Sequence, residues 1–213
     1  MRGAVRHVEW VGDDDPERLE AATVTLAADR LDALGTSRTT DYVTQWSLET
    51  GPGWVTTRLD IGVSGRGWSR RLALTRDAHG RWSSESHYSG HPVYEGALMA
   101  APGIRDPASL DGALDCDLAL CPVTNSMPML RLGVLDAATP ETRFVMAWVA
   151  LPSLEVVRSD QVYSSMAALD PAAGHGVVQY QSASRDFTAD LTVDPDGIVI
   201  DYPRLAKRIR TRP

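Results

Sequence analysis

Two carboxylates, Asp115 and Asp117, stand two residues apart in the stretch Leu110–Leu132, LDGALDCDLALCPVTNSMPMLRL. On a strand that spacing puts both on one face, with Leu114, Cys116, Leu118 and Leu120 on the other. Same-face neighbours lie roughly 7 Å apart at Cα, close enough for two carboxyl groups to couple. Two chemistries fit such a pair. One is acid–base work in a hydrolase-like enzyme. The other is structural, because a buried charge needs a partner and Arg131 follows in the same stretch. Pro122, Thr124, Asn125, Ser126 and Pro128 fall in between. The prolines fix φ and remove backbone donors, so this is a rigid connection and not a central strand. Thr124, Asn125 and Ser126 shape the turn by bonding their own backbone. The closeness of these partners favours the structural reading. Asp115, Asp117, Thr124, Asn125 and Arg131 are expected to form a polar pin, and no residue is assigned a catalytic role.

The other reactive side chains lack the spacing their chemistry needs. Cys116 and Cys121 are five apart, which puts them on opposite faces of a strand and argues against a disulfide. Two cysteines alone have no zinc spacing, and they read as small buried residues in a reducing compartment. His87 and His91 would share a helical face, but Ser89, Gly90 and Pro92 make the segment a loop, so no metal is expected there. Asp13-Asp14-Asp15 before Pro16 reads as a solvated turn. Gly62-Val63-Ser64-Gly65 lacks the second glycine of a nucleophile elbow and has no helix after it. No glycine run leads into Lys-Ser/Thr, so no phosphate loop is present. No cofactor is expected.

The elements that must position these residues are strands. Val5–Val11 and Glu20–Ala28 read as the first two, and Asp32–Thr40 reads as polar and turn-rich. From Tyr42 the alternation is clear: Tyr42, Thr44, Trp46 and Leu48 share one face. Trp54–Val63 and Trp68–Arg76 continue it across glycine turns. Asp77-Ala78-His79-Gly80 is a hairpin loop leading into Arg81–Tyr88. These four segments predict an antiparallel meander. Ser89–Ser109 is a loop or holds a short helix around Tyr94–Met99. Glu141–Leu151 reads as a strand buried on both faces, and Leu154–Tyr163 as the next. Val177–Ser184, Asp186–Val193 and Gly197–Tyr202 predict a second meander around the turn Asp194-Pro195-Asp196-Gly197. Pro203–Arg210 reads as a short terminal helix whose arginines and lysine form a solvated end. Each meander has a Tyr-led strand, an aromatic-led strand and an Asp-x-x-Gly hairpin. The chain therefore reads as one domain, 1–213, with two similar β subdomains, about 1–100 and 101–213, as the open alternative.

The central stretch also resembles the signature of a bacterial family of putative glycolipid-binding proteins, once a domain of unknown function. Its pattern is an acidic strand, a Thr-Asn-x-x-Pro loop, two basic residues and Leu. Thr124, Asn125, Pro128, Arg131 and Leu132 match, and Leu130 replaces the first basic residue. Tyr42-x-x-x-Trp46, Trp54–Arg58, Asp77–Trp82, Gln161-x-Tyr163 and Val193–Pro203 follow in the family's order, so the resemblance covers most of the chain. It implies an all-β fold, a rolled antiparallel sheet (a spiral β-roll) made of two meander-like halves with few short helices. It also implies non-enzymatic binding of a lipid or glycolipid in a cleft of that roll. Trp46, Trp54, Trp68 and Trp148 are the aromatics expected to wall the cleft, with Asn125 and Arg131 as head-group contacts. The hydrolase-like reading through Asp115 and Asp117 stays open. So does a ligand-free module that pairs through a sheet edge into a homodimer.

Composition bounds these readings. With 213 residues the chain can bury a core without staples. A formal charge of −7 argues against nucleic acid as a partner. Six Trp and six Tyr against two Phe favour amphipathic rings that suit cleft walls. No apolar run approaches the roughly 20 residues of a membrane span, and Met1–Val5 starts no signal segment. The expected location is the cytoplasm.

Overall fold

Alternation at period two runs through both halves, and the computed structural model turns nearly all of it into strand. It describes residues 3–212 except 91, 95 and 183–185, and the side chains as far as 209. Seven strands come first: β1 Ala4–Gly12, β2 Leu19–Leu26, β3 Leu31–Arg38, β4 Tyr42–Thr50, β5 Thr56–Gly65, β6 Trp68–Arg76 and β7 Trp82–Ser89. Each pairs antiparallel with the next. The expected meander is β4 to β7. β3 is a correction, because that segment reads as turn-rich in the sequence. Its buried face is Leu31, Ala33, Gly35 and Ser37, so small residues hide the alternation. Gly35 is small for a reason: Trp46, its cross-strand partner, lies over it, and a Cβ there would sit 2.5 Å from the indole.

A separate hairpin follows, β8 Val93–Tyr94 with β9 Ala97–Leu98. The loop or short helix expected over Tyr94–Met99 is thus a pair of two-residue strands. Next come β10 Gly103–Ile104, β11 Asp115–Leu118 and, alone of its kind among the described residues, the α-helix α1 Ser126–Leu132. Gly133 ends the helix at φ +65°, its N–H donating back to Leu130 O at 3.1 Å. The rest is strand: β12 Thr139–Val149, β13 Glu155–Ser165, β14 Gly176–Ser182, β15 Phe187–Val193, β16 Val199–Tyr202 and β17 Ala206–Arg212. The predicted end of β14 at 183–184 lies outside the described residues. The helix expected over Pro203–Arg210 is instead β17, paired to both β16 and β1. Ladder partners on two sides override the local pattern there. β12 is fully buried only at Met146, Ala147 and Val149, where β11 lies beside it. Its first half is half-exposed, contrary to the two-sided burial expected.

One fifteen-stranded sheet results, running β11-β12-β13-β14-β15-β16-β17-β1-β2-β3-β4-β5-β6-β7, with β10 parallel to the start of β13. β11 is parallel to β12, and the other pairs are antiparallel. The sheet rolls until its ends meet without closing into a barrel. Side-chain hydroxyls bridge the gap where ladder bonds would otherwise run. Ser84 Oγ accepts from Ile104 N at 3.2 Å, and Ser86 Oγ donates to Pro102 O at 3.2 Å. Thr56 N donates to Leu114 O at 3.1 Å, while its Oγ1 accepts from Cys116 N at 3.1 Å. These contacts cover edges that would otherwise expose unpaired backbone. α1 lies inside the roll. Met127 belongs to the larger core with Trp10, Leu59 and Leu74, and Met129 to the smaller one with Tyr163, Tyr180 and Leu191. The fold is all-β, and no described helix is long and apolar enough to cross a membrane.

Candidate functional site

Arg131, on the last turn of α1, points back to β11. Its Nη1 and Nη2 donate to the two oxygens of Asp115 at 2.7 and 2.6 Å. Its Nε donates to Gly53 O at 2.9 Å, and Nη2 also to Trp54 O at 3.1 Å. The guanidinium thus ties the turn before β5 to the strand that opens the second half. Asp115 is fully buried. Burial pushes its carboxyl upward, and Arg131 draws it back down. With both oxygens accepting from one fork, the geometry is that of a carboxylate.

Asp117 shares the strand face but has different partners. Thr124 Oγ1 donates to its Oδ1 at 3.0 Å and Gln161 Nε2 to its Oδ2 at 2.6 Å. Gln161 Oε1 and Asn125 Oδ1 each lie 3.0 Å from the Tyr163 hydroxyl. One hydroxyl proton stands between the two acceptors. Burial holds the Tyr163 hydroxyl well above its ordinary pKa, so it remains a donor. The alternation of β13 brings Gln161 and Tyr163 to this inner face, both fully or nearly fully buried.

Beside this network is a chamber of about 190 Å³, lined by Asp117, Asn125, Trp148, Tyr180, Phe187 and Tyr202. The rings belong to a connected cluster: Tyr180 lies 5.2 Å from Tyr163, 6.2 Å from Phe187 and 5.8 Å from Tyr202, centroid to centroid. Arg204 stands over Phe187 at 4.4 Å. Ala119, Leu120 and Trp148 are common to the chamber and to a wider vestibule of about 610 Å³. Asp14, Asp41, Tyr42, Tyr94 and Ser153 also line the vestibule. Tyr94 meets Tyr42 edge-on at 6.0 Å. A larger trough, about 620 Å³, runs over the solvent face of the first half past Thr36, Val43, Gln45 and Gly62. It lies on the outward face of the sheet, away from the network around Asp117 and Asn125. The chamber is where aromatic walls and convergent polar groups coincide.

The structure divides the residues singled out in the sequence. Asp117, Asn125 and Trp148 border the chamber, and Thr124 holds Asp117. Arg131 and Asp115 are engaged with each other beneath the turn Gly53–Trp54. Trp46 is buried against Gly35. Trp54, at φ +56°, and Trp68 are half-buried and pack on the larger core. Trp68 fills the space that side chains at Gly65 and Gly90 would need. Tyr180, Phe187, Tyr202, Gln161 and Tyr163 were not foreseen as site residues. The available signal was polar and aromatic residues on the inward face of strands that are otherwise apolar.

A third buried polar group lies where the halves meet. Glu20 of β2 is inside the roll, beside the Cys121 thiol and Arg18, and burial raises its carboxyl to about 7. Arg18, itself buried, donates to Leu120 O at 3.3 Å and pairs with Asp14. Both cysteines are free and buried. Burial pushes the Cys116 thiol up to about 12 and Cys121 well above its ordinary value, so neither is a ready nucleophile. Among the described residues, no group of three or more His, Cys, Asp or Glu is placed to hold a metal. His91 lies outside them.

Comparison with known proteins agrees with this architecture. A family model described as putative glycolipid-binding matches residues 7–208. The structure is similar to the crystal structure of a DUF1089 family protein from Pseudomonas aeruginosa. The TM-score is 0.63 at 25% identity, over 89% of this chain and 92% of that one. No functionally curated protein matches the chain.

Proposed function

The chain belongs to the family of putative glycolipid-binding proteins, and from that premise we propose that it binds a lipid or glycolipid amphiphile without reacting with it. The observation that carries this reading is the aromatic chamber, which shares Ala119, Leu120 and Trp148 with the vestibule. Trp148, Tyr180, Phe187 and Tyr202 offer ring faces, and Asp117 and Asn125 offer polar atoms beside them. That combination suits a sugar ring or a short chain end. Size decides how much enters. Ligand pockets run from about 300 to 1,000 Å³, so the chamber of about 190 Å³ takes one ring or chain end. The rest of the molecule occupies the vestibule of about 610 Å³.

The hydrolase-like alternative is less well supported. Asp115 is fully buried with both oxygens on Arg131, and both oxygens of Asp117 accept from neighbours. Paired acid–base work needs both carboxyls within reach of substrate; Asp117 borders the chamber, but Asp115 does not line it.

Native mass spectrometry of freshly purified protein, with solvent extraction and lipid analysis, tests the proposal. The expected result is an adduct of defined mass, or tight uptake of an alkyl glucoside added below its micelle threshold. Trp148→Ala should weaken that uptake about tenfold. A bare protein that takes up no alkyl glucoside would overturn the reading.

A further inference from the structure

We infer that the β8–β9 hairpin docks on a lipid bilayer with zwitterionic head groups, and that the amphiphile reaches the vestibule across it. This rests on the binding reading above, and it adds a surface and a partner. Val93 and Leu98 are direct cross-strand partners, so they stand side by side on one face of the hairpin. They are 66% and 67% exposed, and Tyr88, at the end of β7, is 57% exposed. Single exposed aliphatics are ordinary; an adjacent pair on a hairpin that walls a cavity, with exposed Tyr88 shortly before it in the chain, marks an interaction surface. Tyrosine suits the level of lipid head groups, with its ring in the apolar layer and its hydroxyl in water.

The same hairpin walls the cavity. Tyr94 and Ala97, the other cross-strand pair, line the vestibule together with Leu98 and Met99. One small element therefore walls the ligand space and exposes apolar side chains at its rim, Val93 away from the vestibule and Leu98 on its border. β8 and β9 pair only with each other. Pro92 O, accepting from Met99 N at 3.2 Å, closes the base of the hairpin. It can sink into a head-group layer while every ladder of the large sheet stays intact.

Charge selects the partner. Asp14, Asp15 and Asp41 line the same vestibule with one cation, Arg18, which is paired to Asp14, and the chain carries a formal −7. An anionic membrane would be repelled. A second copy docking through this face would bring two acidic mouths together. A zwitterionic bilayer offers the apolar layer without that repulsion, and it is where an amphiphile resides.

The test is flotation of the full-length protein with phosphatidylcholine vesicles. The wild type should float, and it should float less as phosphatidylglycerol replaces phosphatidylcholine. Val93→Asp should lower the floating fraction about tenfold, and Val93→Trp should raise it. Val93 does not line the vestibule, so alkyl glucoside uptake without vesicles should be unchanged in both variants. Absence of wild-type flotation on phosphatidylcholine, or equal flotation of Val93→Asp, would overturn the inference. So would a wild-type dimer that Val93→Asp splits into monomers, which would assign the patch to a second copy. Hairpin-dependent flotation without glucoside uptake would leave the docking surface standing and remove the amphiphile reading.

Discussion

Arg131 and Asp115 meet side-on, with two parallel hydrogen bonds of 2.7 and 2.6 Å between guanidinium fork and carboxylate. The carboxylate is fully buried, and the arginine side chain is 17% exposed. Removing one partner of such a pair strands the other charge, which typically costs about 3–5 kcal/mol. Asp115→Ala should therefore lower stability by that order in urea denaturation. Arg131→Lys should also be costly, because an ammonium lacks the fork that reaches Asp115, Gly53 O and Trp54 O together. The apolar pair Asp115→Leu with Arg131→Met should cost less than the two single changes added. A strictly additive cycle would show that the ion pair is not the coupling element.

Glu20 makes stability depend on pH. Its carboxyl titrates at about 7 in the folded chain against an ordinary 4.5. The folded state therefore holds the proton that the unfolded chain releases, and the associated stability is present below pH 4.5 and lost as pH rises toward 7. A shift of this size corresponds to about 3 kcal/mol. The midpoint of thermal unfolding should fall between pH 5 and pH 8, and Glu20→Gln should remove most of that fall. An unchanged slope in Glu20→Gln would assign the effect to other groups.

Gly35→Ala should destabilise by about 1–3 kcal/mol, the usual range for overpacking. The new methyl would lie 2.5 Å from the Trp46 ring and 2.8 Å from the backbone oxygen of Ala21. The ring could move, but the strand opposite could not move without breaking its ladder. Trp46→Leu in the same chain should recover part of the loss, as read by denaturant midpoints.

Tyr163→Phe removes the hydroxyl donor to Asn125 and Gln161. Both carbonyl oxygens are buried, and an unmet buried acceptor costs about 1–3 kcal/mol. Stability should fall by that order. Alkyl glucoside uptake should weaken as well, because Asn125 borders the chamber. Loss of stability with unchanged uptake would confine the network to a scaffold role.

The strands of the first half were legible because Tyr42, Thr44, Trp46 and Leu48 alternate with polar neighbours over a full strand. β3 was hidden because its inward face is made of small residues. β17 was hidden because its identity comes from β16 and β1, not from its own composition. In the site, Asp115 and Arg131 were legible together because they are close in sequence and opposite in charge. The chamber was not, since Tyr180, Phe187 and Tyr202 come from three strands, and Trp148 from a fourth. Nothing local tells which of many tryptophans faces a void and which fills one. Only the pairing of Trp46 with Gly35 shows that the first one is packing.

The pairing of β17 with β1 has a topological consequence. His7 lies opposite Arg212, so β1 and β17 lie side by side in mid-sheet, with the start of β1 beside the end of β17. The covalent order is thus a ring of neighbours cut at one place, and the cut is not at an edge of the sheet. A circular permutant that joins the ends by a short linker, and opens between β9 and β10, should fold to the same roll. It would read the main path of the sheet in one spatial series, β11 to β17 and then β1 to β7, with α1 between β11 and β12 and with β10 and the β8–β9 hairpin off that path.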